Sequence, residues 1–362
     1  MPPPVTELGK PSILTANKLF EKVSVAVADK DQKMAVLIRK LLIAIGCHRV
    51  FVLSDGLEVI ELMKEEPIDI IITDWQMKAM GGIDLAIYLR QSLDSPNRMV
   101  PIIMLTARNE RNDIQAARDA GITEYVIKPF SAKTLLERIY NIVEDPRAFI
   151  ISKNFIGPDR RRVSSLTLPA DASETREVIV RRPPVVVPKD QLKQVILDDM
   201  PRMIVPDYSL KKKIGLEVPP QVITAPATVE QSENIIHDEE TIFIDSMMKD
   251  VTTLEETYRM LIQSPDYAAQ FISLIKEAAL SIKSRAGTFG YTRGSDIAGM
   301  LYTFCHKMYN RDNKYHLIVL EKHIQAISVV FSGRIKGDGG EIGAMLVRDL
   351  AKLIDKYSGN YA

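Results

Sequence analysis

Four polar residues stand where apolar runs end in the first third of the chain. Asp29 follows "VSVAVA", Asp74 follows "IDIIIT", Thr106 closes "PIIMLT" and Lys128 follows "EYVI". Two carboxylates, a hydroxyl and an ammonium have a joint chemistry. A carboxylate is a competent phosphoryl acceptor, forming an aspartyl phosphate. Such transfer depends on positioning and charge neutralisation more than on covalent chemistry by the protein. Paired carboxylates without soft ligands suit Mg²⁺, which takes oxygen donors and keeps several waters. Any one of these residues alone reads as a turn or cap residue; the set of four carries the chemical reading.

These residues need a scaffold that brings strand ends together. Apolar residues Met34, Leu37, Ile38, Leu41, Leu42 and Ile45 recur at helical spacing, and Gly46 follows as a stop. Similar patterns predict helices over 57–66, 83–93 and 112–121, and Leu135, Leu136, Ile139 and Val143 mark a last one. Short apolar strands precede each helix. Five βα units in succession predict a doubly wound parallel sheet with helices on both faces. Ligands of such sheets bind beyond the carboxyl ends of the strands, where the four residues stand.

The pieces "VADKD", "TDWQMKAMGG", "IIMLTAR" and "AGITEYVIKPF" resemble, in order and spacing, the receiver domain of two-component response regulators, of the single-domain chemotaxis type. The resemblance covers residues 22–145 and implies a flavodoxin-like (βα)₅ fold. It implies Asp74 as phosphoacceptor, Thr106 as switch hydroxyl, Tyr125 as switch aromatic and Lys128 as the receiver lysine. It places Mg²⁺ on Asp29, Asp74 and the Gln76 carbonyl, and a cis bond at Lys128-Pro129. Gly81-Gly82 reads as a sharp turn needing positive φ. Receivers carry two adjacent acids after the first strand; here the second position is Lys30, while Asp31 reads as a helix cap. Lys78 stands where a proline is expected. Trp75 reads as partly exposed packing, His48 as a surface residue and Cys47 as a small core residue.

The remaining chain divides by composition. Residues 1–21 form an extension without the pattern of a signal peptide, and 146–240 read as a proline-rich flexible linker. That linker carries "GPDRRR", whose Arg160, Arg161 and Arg162 make a short basic patch. Residues 241–362 read as a bundle of about five helices. Its apolar stripes are Phe271, Leu274, Ile275, Ala278 and Ile282, then Ile318, Ile324, Ile327 and Phe331. "LSIKSRAGTFGY" is faintly similar to a histidine-phosphotransfer motif, but Leu280 occupies the histidine position. His306 and His323 sit at no metal or relay spacing, and no Walker loop is present.

Lys+Arg and Asp+Glu balance at 47 each, which gives no charge argument for nucleic acid or membrane partners. Two distant cysteines fit a reducing cytoplasm. The expected protein is a non-enzymatic response regulator: a histidine kinase or phosphotransfer protein acts at the receiver, and an unidentified protein binds the bundle. The alternative is a non-cycling pseudo-receiver that docks signalling proteins. Lys30 separates the two, because a cation beside a divalent site opposes metal binding. Lys30→Asp is therefore expected to tighten Mg²⁺ binding by roughly tenfold. Titration of the fluorescence of Trp75, the one tryptophan in the chain, reads this directly; equal affinities would refute it.

Overall fold

The computed structural model describes residues 20–144, 147–152, 155–159, 202–204, 210–214 and 224–358. Strands β1 (Ser24–Ala28), β2 (Arg49–Leu53), β3 (Ile70–Thr73), β4 (Ile102–Thr106) and β5 (Glu124–Ile127) alternate with five helices. These are α1 (Gln32–Ala44), α2 (Gly56–Glu65), α3 (Gly82–Gln91), α4 (Arg111–Asp119) and α5 (Ala132–Glu144). The sheet order is β2-β1-β3-β4-β5, as the βα pattern predicts. Alternation divides the strands between two faces. Ala26, Ala28, Ile71, Ile102 and Met104 share a core with Val59, Leu85, Leu89 and Ala117 of α2, α3 and α4. Val25, Val27, Ile70 and Ile72 are equally buried and point to the opposite face.

Local signals set the helix ends. Asp31 caps α1 by accepting from the amides of Lys33 (3.0 Å) and Met34 (3.4 Å). Asp55 caps α2 through the amides of Leu57 (2.7 Å) and Glu58 (3.3 Å). Gly46 takes φ +87° after α1, a conformation that favours glycine. Cys47 is buried as expected; its thiol donates to the Val23 carbonyl at 3.3 Å, and burial pushes its pKa up to about 12.

The proline-rich stretch holds elements that its composition concealed. Strands β6 (Phe149–Ser152), β7 (Phe155–Pro158) and β8 (Arg202–Ile204) form an antiparallel sheet ordered β7-β6-β8. Helices α6 (Leu210–Ile214) and α7 (Pro226–Asp238) follow. Proline density misled because Pro226 stands first in α7, where a missing N–H costs nothing. A composition averaged over the stretch also hides strands of three or four residues. Arg160, Arg161 and Arg162, and residues 1–19, lie outside the described residues.

Phe149 of β6 covers an unexpected feature. Arg90, in the last turn of α3, is fully buried. It donates to the carbonyls of Gly121 (3.1 Å), Arg98 (2.6 Å) and Val100 (2.8 Å), and its guanidinium lies 5.1 Å from the Phe149 ring centre. A planar fork of donors suits three converging carbonyls.

The helical unit contains α8 (Glu240–Gln263), α9 (Ala268–Ala286), α10 (Thr292–Lys307), α11 (Tyr315–Ser332) and α12 (Gly340–Ser358). Two expected stripe residues do not face its core: Leu274 is 51% exposed and Ile318 38%. The buried line on α9 instead runs through Ile272, Ile275, Ala279, Ile282 and Ala286, which keeps the helical period better. Phe243 and Phe289 stack at 4.1 Å, and the Tyr291 hydroxyl donates to Glu240 at 2.8 Å. Among the described residues no helix is long and apolar enough to cross a membrane.

His306 is exposed, whereas His323 on α11 is fully buried. The His323 Nδ1 lies 2.7 Å from the Val319 carbonyl and donates to it, while Nε2 meets no protein partner. Burial pushes the imidazole pKa down to about 4. A neutral folded imidazole that protonates freely in the unfolded chain loses stability as pH falls from 6.5 towards 4. About 2–3 kcal/mol should be lost by pH 4.5 through this one group. Urea denaturation at pH 7 and 4.5 should show that loss in the wild type and a smaller one in His323→Leu; parallel losses would refute it. Glu240 acts in a lower window. Burial raises its carboxyl pKa, but hydrogen bonds from Lys336 and Tyr291 outweigh this and hold it below the usual range.

Candidate functional site

The site is built by main-chain pairing. In the parallel β1–β3 register Ala28 lies opposite Thr73, so the next residue of each strand, Asp29 and Asp74, emerges side by side. The Asp74 amide donates to the Ala28 carbonyl at 2.8 Å, and the Asp29 amide to Leu53 at 3.2 Å. The β3–β4 register pairs Thr73 with Met104, and Thr106 ends β4. The Lys128 amide donates to the Thr106 carbonyl at 2.7 Å, which ties the end of β5 to that of β4. All four residues therefore stand at the carboxyl edge of one sheet, where the strand order reverses around β1 and β3.

All four are buried: Asp29 is 2% exposed, Asp74 8%, Thr106 2% and Lys128 3%. Buried charges require compensation by partners or hydrogen bonds. Asp29 Oδ1 accepts from the Asp31 amide at 2.8 Å, and Thr106 Oγ1 accepts from the Arg108 amide at 3.2 Å. The Thr106 hydroxyl keeps its proton to donate.

The other expected residues are placed as follows. Tyr125 on β5 is half-buried against the α2–α3–α4 core, as is Trp75. Gln76 and Lys30 are exposed. Asp31 is turned to its cap role. The Lys128-Pro129 bond is cis. His48 is exposed.

Gly81 and Gly82 require a correction. Gly81 has φ −71°, and neither glycine is among the positive-φ residues. Closeness selects them. A β-carbon on Gly82 would lie 2.3 Å from the Asp74 carbonyl oxygen and 3.0 Å from the Thr73 side chain. One on Gly81 would lie 2.7 Å from the Trp75 carbonyl oxygen. The Gly82 amide donates to that Trp75 carbonyl at 3.0 Å, and the Thr73 hydroxyl to the Asp74 carbonyl at 3.2 Å. The start of α3 is thus pressed onto the main chain that holds Asp74. Sequence reading missed Thr73 in this role, although its position before the acid was visible.

The residues expected to hold a metal, Asp29, Asp74 and the carbonyl of Gln76, would offer oxygen donors only. That suits Mg²⁺, which needs one or two carboxylates and keeps water in its remaining positions. Among the described residues no group of three His, Cys, Asp or Glu side chains is placed to hold a metal alone.

The model of the response regulator receiver domain matches residues 25–140. The chain is 32% identical over 126 residues to chemotaxis protein CheY-3 of Vibrio cholerae, a match covering 35% of this chain and 95% of that one. It is 33% identical over 122 residues to chemotaxis protein CheY of Pseudomonas aeruginosa, covering 34% and 97%. A crystal structure of Vibrio cholerae CheY4 aligns with 33% of this chain and 98% of its own, at 26% identity and a TM-score of 0.31.

The contact of Gly82 with the Asp74 carbonyl yields a direct test. Gly82→Ala should push α3 off the acid-bearing turn, costing roughly 1–3 kcal/mol. It should also slow phosphoryl uptake from acetyl phosphate by tenfold or more, read by intact mass against time. Stability and rate unchanged from wild type would show that the contact is not restrictive.

Proposed function

We propose, for a chain that belongs to the response regulator receiver family through residues 25–140, that Asp74 accepts a phosphoryl group from a histidine kinase or phosphotransfer protein. The helical unit then delivers the signal by binding protein. The observation that carries this reading is the burial of Asp29, Asp74, Thr106 and Lys128 at one edge of a parallel sheet. A receiver is a signalling module that carries a phosphoryl group, and the chain is not read as an enzyme.

In this reading a carboxylate oxygen of Asp74 bonds to phosphorus as the donor's bond to phosphorus breaks. Lys128 neutralises charge on the phosphoryl oxygens. Mg²⁺, held by Asp29, Asp74 and the Gln76 carbonyl, would supply further neutralisation. The Thr106 hydroxyl donates to a phosphoryl oxygen, which draws the β4 end inward. Tyr125, half-buried on the neighbouring strand, changes rotamer in response. The output is a shift between two receiver states.

The helical unit lacks the acceptor chemistry for a phosphorelay step at its phosphotransfer-like stretch. Leu280 on α9 occupies the histidine position, and a hydrocarbon side chain cannot carry phosphate. His323 is buried within the core and His306 is on a different helix. Protein recognition is the remaining role.

A specific observation supports the second reading, a receiver that docks partners without cycling. Lys30 stands where a second acid would help to bind metal. Incubation with acetyl phosphate and Mg²⁺, followed by intact mass, separates the two. The expected result is one phosphate on the wild type and none on Asp74→Asn. A phosphate retained by Asp74→Asn would overturn the assignment of the acceptor, and a wild type that stays unmodified would favour the docking module.

A further inference from the structure

The helical unit has an open cavity of about 610 Å³ along one face of α10. Lys283 of α9, Met300 and Phe304 of α10, Val347 and Ile354 of α12 and Pro129 line it, and Thr292, Ser295, Asp296 and Thr303 add polar groups. Its volume falls in the range of small-molecule sites, which combine apolar lining with polar groups that orient the ligand.

Lys283 is the unusual member. It is half-buried, and burial lowers the pKa of its ammonium. Among the described residues neither a hydrogen bond nor an ion pair reaches its Nζ. The acid nearest in the cavity lining, Asp296, is already paired with Arg293 at 3.2 Å. The lysine stem runs close to Gly299: a β-carbon there would meet Cδ and Cε of Lys283 at ordinary contact distance, 3.4 and 3.5 Å. Such a stem would normally carry its charge out to water or to a carboxylate. Here it is held over a glycine, beside an apolar trough.

We propose that this cavity binds an amphipathic monocarboxylate, with its headgroup on Lys283 and its apolar part against Met300, Phe304, Val347 and Ile354. Charge selects the class. Among the described residues Lys283 is the one cation in the cavity lining, so a single negative charge matches it better than a phosphate dianion. The ion pair forms in a partly desolvated mouth, where it is stronger than on an open surface. The apolar trough contributes burial in proportion to the hydrocarbon covered. Pro129, the neighbour of Lys128, is part of the lining, but the proposal does not depend on phosphorylation of Asp74.

Calorimetric titration of the full chain with decanoate tests the proposal, with decan-1-ol and inorganic phosphate as controls. Decanoate should bind once per chain, and more tightly than either control. Lys283→Met, which keeps the stem and removes the charge, should weaken binding at least tenfold; Lys283→Arg should stay within about threefold of wild type. Gly299→Leu, a favourable change for helix propensity, should fill the cavity and abolish binding with the charge intact. Equal affinity in Lys283→Met, equal binding of decanol and decanoate, or no binding to the wild type would each overturn the proposal. Circular dichroism of each variant identifies any loss of fold, and Lys283→Arg then decides the point.

Discussion

Main-chain pairing places Asp29 and Asp74 side by side. The Ala28–Thr73 register and the amide of Asp74 on the Ala28 carbonyl fix where the two residues leave their strands. The apolar residues on both faces of the sheet hold that register in place. Lys128 is brought in by the backbone bond between β5 and β4. The Asp31 amide satisfies one Asp29 oxygen.

Much of this edge was legible because parallel strands give a strong signal: short apolar runs, then a polar residue at the ligand-binding end. Asp31 was readable as a cap because it precedes a periodic apolar face. Gly81-Gly82 was readable as special, but not for the right reason. Sequence shows that a side chain is missing; only the fold shows whether a dihedral angle or a neighbouring carbonyl forbids it. Leu274 and Ile318 show another limit. Helices α9 and α11 carry apolar residues that the core leaves out, Leu274, Ile318 and Val329, and the packing of neighbouring helices decides which ones are buried.

Arg90 was illegible for a related reason. An arginine in the last turn of a helix reads as a solvated residue facing the carboxyl end of the dipole. Its three carbonyl partners come from the segment after α3 and the turn before β5, segments with no local signature of their own. Phe149 then lies over the guanidinium from a strand outside the doubly wound pattern. Long-range pairing of this kind leaves no periodicity. The same holds for β6, β7 and β8, whose strands are too short to rise above the composition around them.

The pairing of β6 with both β7 and β8 makes it the central strand of this small sheet. Phe149, Ile150 and Ile151 each face a partner on both sides, Pro158 to Ile156 on β7 and Ile204 to Arg202 on β8. A central strand needs its donors on both ladders, so proline in place of Ile150 would remove a bond that the sheet uses, whereas the edge strand β7 tolerates Pro158. Phe149 also lies over the buried Arg90 guanidinium, so a disturbance of β6 would be felt at the end of α3.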